Sequence, residues 1–180
     1  MAPVAQAPLR IRPARPDDIP AAYAMKRALA VAEGHEGVLR ASEQDWRRDA
    51  FGSAPRFRCI VAEAGATLVG MATYSEVYMT ALAAPIFSIQ DLYVAPESRR
   101  LGAGRGLVAE VAAVALERGI PLIELAVMDK NPARQFYRRL GFQHLEECLT
   151  YAVGGEPMLA LAAARGRGAA GMKRKTSINH

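Results

Sequence analysis

The chain reads as an α+β fold: a mixed, largely antiparallel central sheet flanked by helices, with one parallel β-α-β crossover. Three observations predict it. Residues 57–64 and 67–78 are strand-like runs on either side of Gly65, the pattern of an antiparallel hairpin leading into a longer strand. Residues 86–94 supply a further strand. Beyond it come a glycine-rich loop, a helical stripe of Leu107, Val111, Val114 and Ala115 that stops at Gly119, and an apolar run over 121–128. Strand, loop, helix and strand in that order require a parallel crossover, since parallel neighbours cannot be joined by a tight turn.

Each element follows from local chemistry. Residues 1–8 are Ala- and Pro-rich and read as a flexible leader, and the domain begins with a short strand over 9–12. Asp17 or Asp18 can cap a helix carrying Ile19, Ala22, Tyr23 and Leu29 at helical spacing, and Gly34 ends it. A second helix spans 42–51, with Ser42 as cap and Asp45 three residues on. In the strand 86–94 the apolar phase moves from Phe87 and Ile89 to Leu92 and Val94, a one-residue slip that predicts a β-bulge. The run 121–128 reads as a strand buried on both faces, with Ile123, Leu125 and Val127 opposite Leu122, Glu124, Ala126 and Met128. Asn131 as cap, Pro132 in first position, Ala133, Phe136, Tyr137 and Leu140 along one face, and Gly141 as terminator mark the next helix. A final strand or hairpin is expected over 142–153. The domain is placed at 9–159 and a basic, disordered tail at 160–180.

Composition narrows the function classes. With 180 residues and 51% hydrophobic side chains the chain can bury one sizeable core. Its formal charge of +5 is not spread through the domain. Arg165, Arg167, Lys173, Arg174 and Lys175 carry it, without a single acid, so residues 1–164 hold 18 cations and 18 acids. A nucleic-acid-binding domain is therefore not indicated, and the tail lacks the interleaved aromatics that stack on bases. No stretch approaches a membrane span. Cys59 and Cys148 lack the close spacing of a metal site and read as reduced core residues, so no metal is expected and the compartment is taken as cytoplasmic.

The passage that carries chemistry is 90–106. A strand runs through the short connection Ala95-Pro96-Glu97-Ser98 into Arg99-Arg100-Leu101-Gly102-Ala103-Gly104 and then a helix. Glycines at 102 and 104 let backbone N–H groups approach a ligand, and the helix directs the positive end of its dipole to the same place, which makes a pyrophosphate cradle. It is neither a Walker loop nor a Rossmann fingerprint. After one more strand comes Asn131-Pro132-x-x-x-Phe136-Tyr137-x-x-Leu140-Gly141-Phe142.

In that order and spacing the two motifs resemble the GNAT superfamily of acyl-CoA-dependent N-acetyltransferases. The run Gln90-Asp91-Leu92-Tyr93-Val94 is most similar to the diamine acetyltransferase-like branch, with Gln90 where the branch has Glu. The resemblance implies acetyl-CoA as cosubstrate, a small-molecule amine as acceptor, and many relatives that are homodimers. It implies that Arg99 and the backbone amides of Arg100, Leu101, Gly102, Ala103, Gly104 and Arg105 grip the pyrophosphate. Leu92, Tyr93 and Val94 would pair with the pantetheine arm, Asn131 would contact the arm near its thiol end, and Tyr137 would face the sulfur.

An amine attacks a thioester only when unprotonated, whereas an alkylammonium holds its proton to about pH 10.4, and the departing thiolate needs one near about 8.5. Tyr137 is the candidate acid. For the base, Asp91 is preferred, with Glu76, Glu124 and His35 as alternatives. Glu33, His35, Glu36, Glu43, Asp45 and Trp46 form an acid-rich stretch that would suit a cationic amine or simply be a solvated helix face. Arg134, Arg138 and Arg139 are read as solvated cations outside the site. Two other readings share these motifs: a protein lysine or N-terminal acetyltransferase, and a non-catalytic acyl-CoA-binding module.

Overall fold

The structure, a computed structural model, describes residues 8–146 and 150–165, which divide into two compact units between Leu140 and Gly141. The first unit is built on a five-stranded sheet in the order β1-β2-β3-β4-β5, where β1 is Leu9–Pro13, β2 Arg58–Ala64, β3 Thr67–Met79, β4 Ala84–Val94 and β5 Ile123–Leu125. The first three pairings are antiparallel and β4 with β5 is parallel, as the motif order requires.

Period-two alternation sends β2 and β3 side chains to opposite faces, so the sheet carries a core on each side. Ile60, Ala62 and Phe87 pack with Leu107 and Val111 of α3 (Ala103–Glu117). Val61 and Met71 pack with Ile19, Ala22 and Met25 of α1 (Ile19–Glu33) and Trp46 of α2 (Glu43–Phe51). Ser42 and Asp45 form the expected capping box, with Ser42 Oγ accepting from Asp45 N–H at 3.1 Å. Asp18 instead accepts Arg15 N–H at 2.6 Å and pairs with Arg12, whose guanidinium holds the Asp18 carboxyl below its usual range.

The predicted bulge is present. Thr73 stands opposite Asp91 and Tyr74 opposite Ile89, leaving Gln90 as the extra residue. Phe87 and Ile89 before it, and Leu92 and Val94 after it, all reach the α3 core, while Tyr93 joins the α1 side. The apolar slip in the sequence is thus the signature of one inserted residue.

Three expectations require correction. The strand expected over 121–128 is only Ile123–Leu125, and none of the three is fully buried. Its ladder with β4 covers Phe87–Ile89 alone, because the bulge turns the rest of β4 away. No strand forms in the described residues of 142–153; residues 147–149, with Cys148, lie outside them. In the second unit, α5 (Gly155–Ala163) continues into the segment taken as a disordered tail. Ala160–Ala163 is a run of strong helix formers, so local propensity favours the helix there. No helix among the described residues is long and apolar enough to cross a membrane.

Candidate active site

Where β4 leaves β5, a cleft of about 930 Å³ opens in the first unit. One wall is Ile89 to Val94 of β4; the opposite wall is Leu125 to Met128 with Asn131, Phe136 and Tyr137; the ends are the Ser98–Arg105 loop and the last turn of α1. Hydrogen-bond phase makes the β4 wall sticky. Ala95 N–H donates to the Val69 carbonyl at 2.9 Å, so Ala95 and Tyr93 are the residues bonded to β3. Alternation then turns the N–H and C=O of Leu92 and Val94 toward the open side. An extended chain laid beside them gains strand-like hydrogen bonds, and the Leu92 amide is available to a developing oxyanion.

The loop end fits a pyrophosphate. Arg100 (φ 76°) and Gly102 (φ 83°) both take the left-handed backbone, which bends the chain into the start of α3. The first helical bond runs from Gly106 N–H to the Gly102 carbonyl at 2.9 Å, so the amides of Ala103, Gly104 and Arg105 precede the ladder. No side chain caps them. Uncapped amides at the positive end of a 15-residue helix are an anion site. Gly104 also has a packing role: a Cβ there would lie 3.3 Å from Phe136 Cζ and 3.7 Å from Val94 Cγ2, so the glycine lets α3 approach α4 (Ala133–Arg139) and β4 closely.

Of the other predicted residues, Arg99, Arg100, Gly102, Ala103, Arg105, Asn131 and Tyr137 line the cleft, whereas Leu101 does not and is exposed. Arg99 Nε reaches the Val94 carbonyl at 3.4 Å. At the start of α4, Asn131 Oδ1 accepts Ala133 N–H at 2.9 Å, and the residue lines the cleft. Tyr137 stacks edge-on with Phe136, ring centroids 5.2 Å apart. Burial and the charge of Glu33 push its phenol up to about 12, so it keeps its proton at physiological pH.

Asp91 is buried, with one carboxylate oxygen paired to Lys26 Nζ and the other accepting from Thr73 Oγ1 at 2.7 Å. Taking up a proton would break that ion pair, so the expectation of a free base does not fit this geometry. The alternatives fare no better. Glu76 pairs with Arg118 at 2.5 Å, and neither it, Glu124 nor His35 lines the cleft.

The sequence reading placed Arg139 outside the site and did not single out Leu29 or Ala32 for it, yet all three line the cleft; of the acid-rich stretch it offered for a cationic amine, only Glu33 does. The signal for α1 was there: Lys26, Leu29 and Glu33 are three and four residues apart and share one helical stripe.

An open strand edge, an uncapped helix start and a protonated phenol in one cleft define an acyl-CoA-dependent acyltransferase. Residues 22–142 match the model of the Acetyltransferase (GNAT) family, and the chain belongs to that family. It is similar to a mouse protein named thialysine N-epsilon-acetyltransferase, 36% identical over 165 residues, covering 85% of this chain and 96% of that one. A human spermidine/spermine N(1)-acetyltransferase-like protein is 27% identical over 131 residues, covering 69% of this chain and 19% of that one. Among solved structures, an aminoglycoside N-acetyltransferase in complex with CoA shares the fold, with a TM-score of 0.66 at 17% identity, covering 86% of this chain and 100% of that one. The chain is an N-acetyltransferase.

Proposed function

We propose that this enzyme moves the acetyl group of acetyl-CoA onto the primary amine of a small molecule by direct attack in a ternary complex. The observation that carries the reading is the juxtaposition, in one cleft, of the uncapped α3 amides, the outward-turned Leu92 and Val94 backbone, and Tyr137. The amides of Ala103, Gly104 and Arg105 would hold the pyrophosphate, with Arg99, Arg100 and Arg105 adding charge. Leu92 and Val94 would align the pantetheine arm beside β4, assisted by Asn131.

The reaction then asks three things of the chain. The acceptor ammonium must lose a proton, the thioester oxygen needs a donor as the amine adds, and the thiolate must be protonated as the C–S bond breaks. Leu92 N–H suits the second task. Tyr137 suits the third, since a phenol that stays protonated at neutral pH can donate to sulfur and recover a proton from the new amide nitrogen. The relatives named for thialysine and for spermidine/spermine support an acceptor whose reactive group is an alkylamine. A buried, protonated Cys59 thiol suits a reducing cytoplasm.

The test is an acceptor panel of small alkylamines, amino acids with side-chain amines, and lysine peptides, followed by thiol release from acetyl-CoA. Turnover of small amines well above peptides is expected. Preference for peptides would move the reading to a protein acetyltransferase, and acetyl-CoA binding without thiol release from any acceptor would make the chain a binding module.

A further inference from the structure

Asp91 lines the cleft at the bulge, one residue before the Leu92 amide, yet both of its oxygens already have a donor. One is paired to Lys26 Nζ, and the other accepts from Thr73 Oγ1 at 2.7 Å. Lys26 reaches it from α1, on the helical stripe that continues to Leu29 in the cleft wall. The lysine side chain is 26% exposed and that of Asp91 9%, so the cation is the more accessible member of the pair.

A buried ion pair is a poor device for stability, since two apolar side chains of similar volume would hold α1 to β4 as well. What the pair changes is the charge of the cleft. The lining contains two carboxylates, Asp91 and Glu33, and Lys26 offsets one of them. The rest of the charged lining, Arg99, Arg100, Arg105, Lys130 and Arg139, is cationic and comes from the pyrophosphate loop and the chain beyond β5.

We propose that Lys26 is a specificity-determining residue: its ammonium occupies the carboxylate that would otherwise receive a second cation of the acceptor, and so restricts the enzyme to amines of net charge no greater than one positive. An acceptor with two ammonium groups finds the Asp91 counter-charge taken and meets a like charge in its place, in a cleft where water screens poorly. The device works against the wrong acceptor and adds nothing to the hold on the right one. A monoamine is therefore indifferent to Lys26, and a diamine is not.

This inference rests on the acetyl-transfer reading, and the experiment keeps the two apart. An alkyl monoamine and the α,ω-diamine of the same chain length are compared in wild type, Lys26→Arg, Lys26→Gln and the double variant Lys26→Met with Asp91→Asn. Thiol release gives kcat/KM, calorimetry with CoA bound gives amine affinity, and circular dichroism checks the fold. Lys26→Gln keeps a donor for Asp91 while removing the charge; the double variant removes both charges, so neither leaves a buried group without a partner of its own kind. In Lys26→Gln the diamine-to-monoamine ratio should rise on the order of ~10-fold, through KM for the diamine, with the monoamine values near wild type. Added salt should shrink the gain. Lys26→Arg should keep the wild-type ratio, and the double variant should lose most of the gain. An unchanged ratio in Lys26→Gln, an equal loss with both amines, or a gain kept in full by the double variant overturns the role of Lys26. A wild-type protein that releases thiol with neither amine overturns the acetyl-transfer reading instead, and the calorimetric ratio then decides on Lys26 by itself.

Discussion

Replacing Tyr137 with Phe removes one oxygen and keeps the ring that packs edge-on against Phe136. The ring accounts for nearly all the apolar area, and loss of the hydroxyl costs stability on the order of ~1 kcal/mol. The catalytic loss is larger. General acid catalysis is worth ~10² to 10⁴ in rate, or roughly 3 to 5 kcal/mol of barrier. It should fall on kcat with acetyl-CoA affinity nearly unchanged, because the phenol matters as negative charge develops on sulfur. The pH dependence carries a sign and a position. Burial and Glu33 raise the phenol to about 12, so its ionisation should lower turnover only as pH rises toward that value. The same shift contributes fold stability that is complete below about pH 10, the ordinary phenol value, and is lost as pH rises through the folded one. Single-turnover measurement of thiol release over pH 7 to about 10.5 should show no alkaline limb from this group in the wild type. Tyr137→Phe turning over at the wild-type rate in that chemical step, or a wild-type limb centred near the ordinary phenol value, would refute the assignment.

Three further outcomes are expected. Gly104→Val should press on Phe136, 3.3 Å from the new Cβ, and push α4 away from α3; about 1 to 3 kcal/mol of stability should go, and calorimetry should show at least a ~10-fold weaker hold on acetyl-CoA. Lys26→Met leaves the buried Asp91 charge with Thr73 alone and should cost ~2 to 3 kcal/mol in urea unfolding, near the lower end for a broken buried pair because Lys26 is partly exposed. Asp91→Asn should cost less, since the lysine can swing its ammonium into water. In a Cys148→Ser background, Cys59 should resist thiol reagents until the protein unfolds, because burial pushes its thiol up to about 12; equal native and unfolded reactivity would place it at the surface.

Much of this molecule is written locally. Gly34 after an apolar stripe, Ser42 three residues before Asp45, and Asn131-Pro132 before Phe136 specify helix ends by capping, which depends on a few adjacent residues. The shift of apolar phase across Gln90 disclosed the bulge, since one inserted residue reverses every side chain after it. The loop at Gly102 and the Tyr137 helix were legible as motifs for the same reason. What the sequence could not disclose is which charged groups folding would pair and which it would bring to the cleft. Asp91 reads as a base until Lys26, 65 residues away in the chain, arrives from α1 to pair with it. Glu33 reads either as part of an acid-rich stretch suited to a cationic amine or as a solvated helix face, and only the packing of α1 beside β4 makes that last turn a wall of the cleft. The length of β5 was likewise a tertiary matter, because a ladder extends only as far as its partner keeps pace, and the bulge carries β4 away after Ile89. Capping and periodicity are properties of neighbours in sequence, whereas the availability of a charge is settled by what folding brings within reach of it.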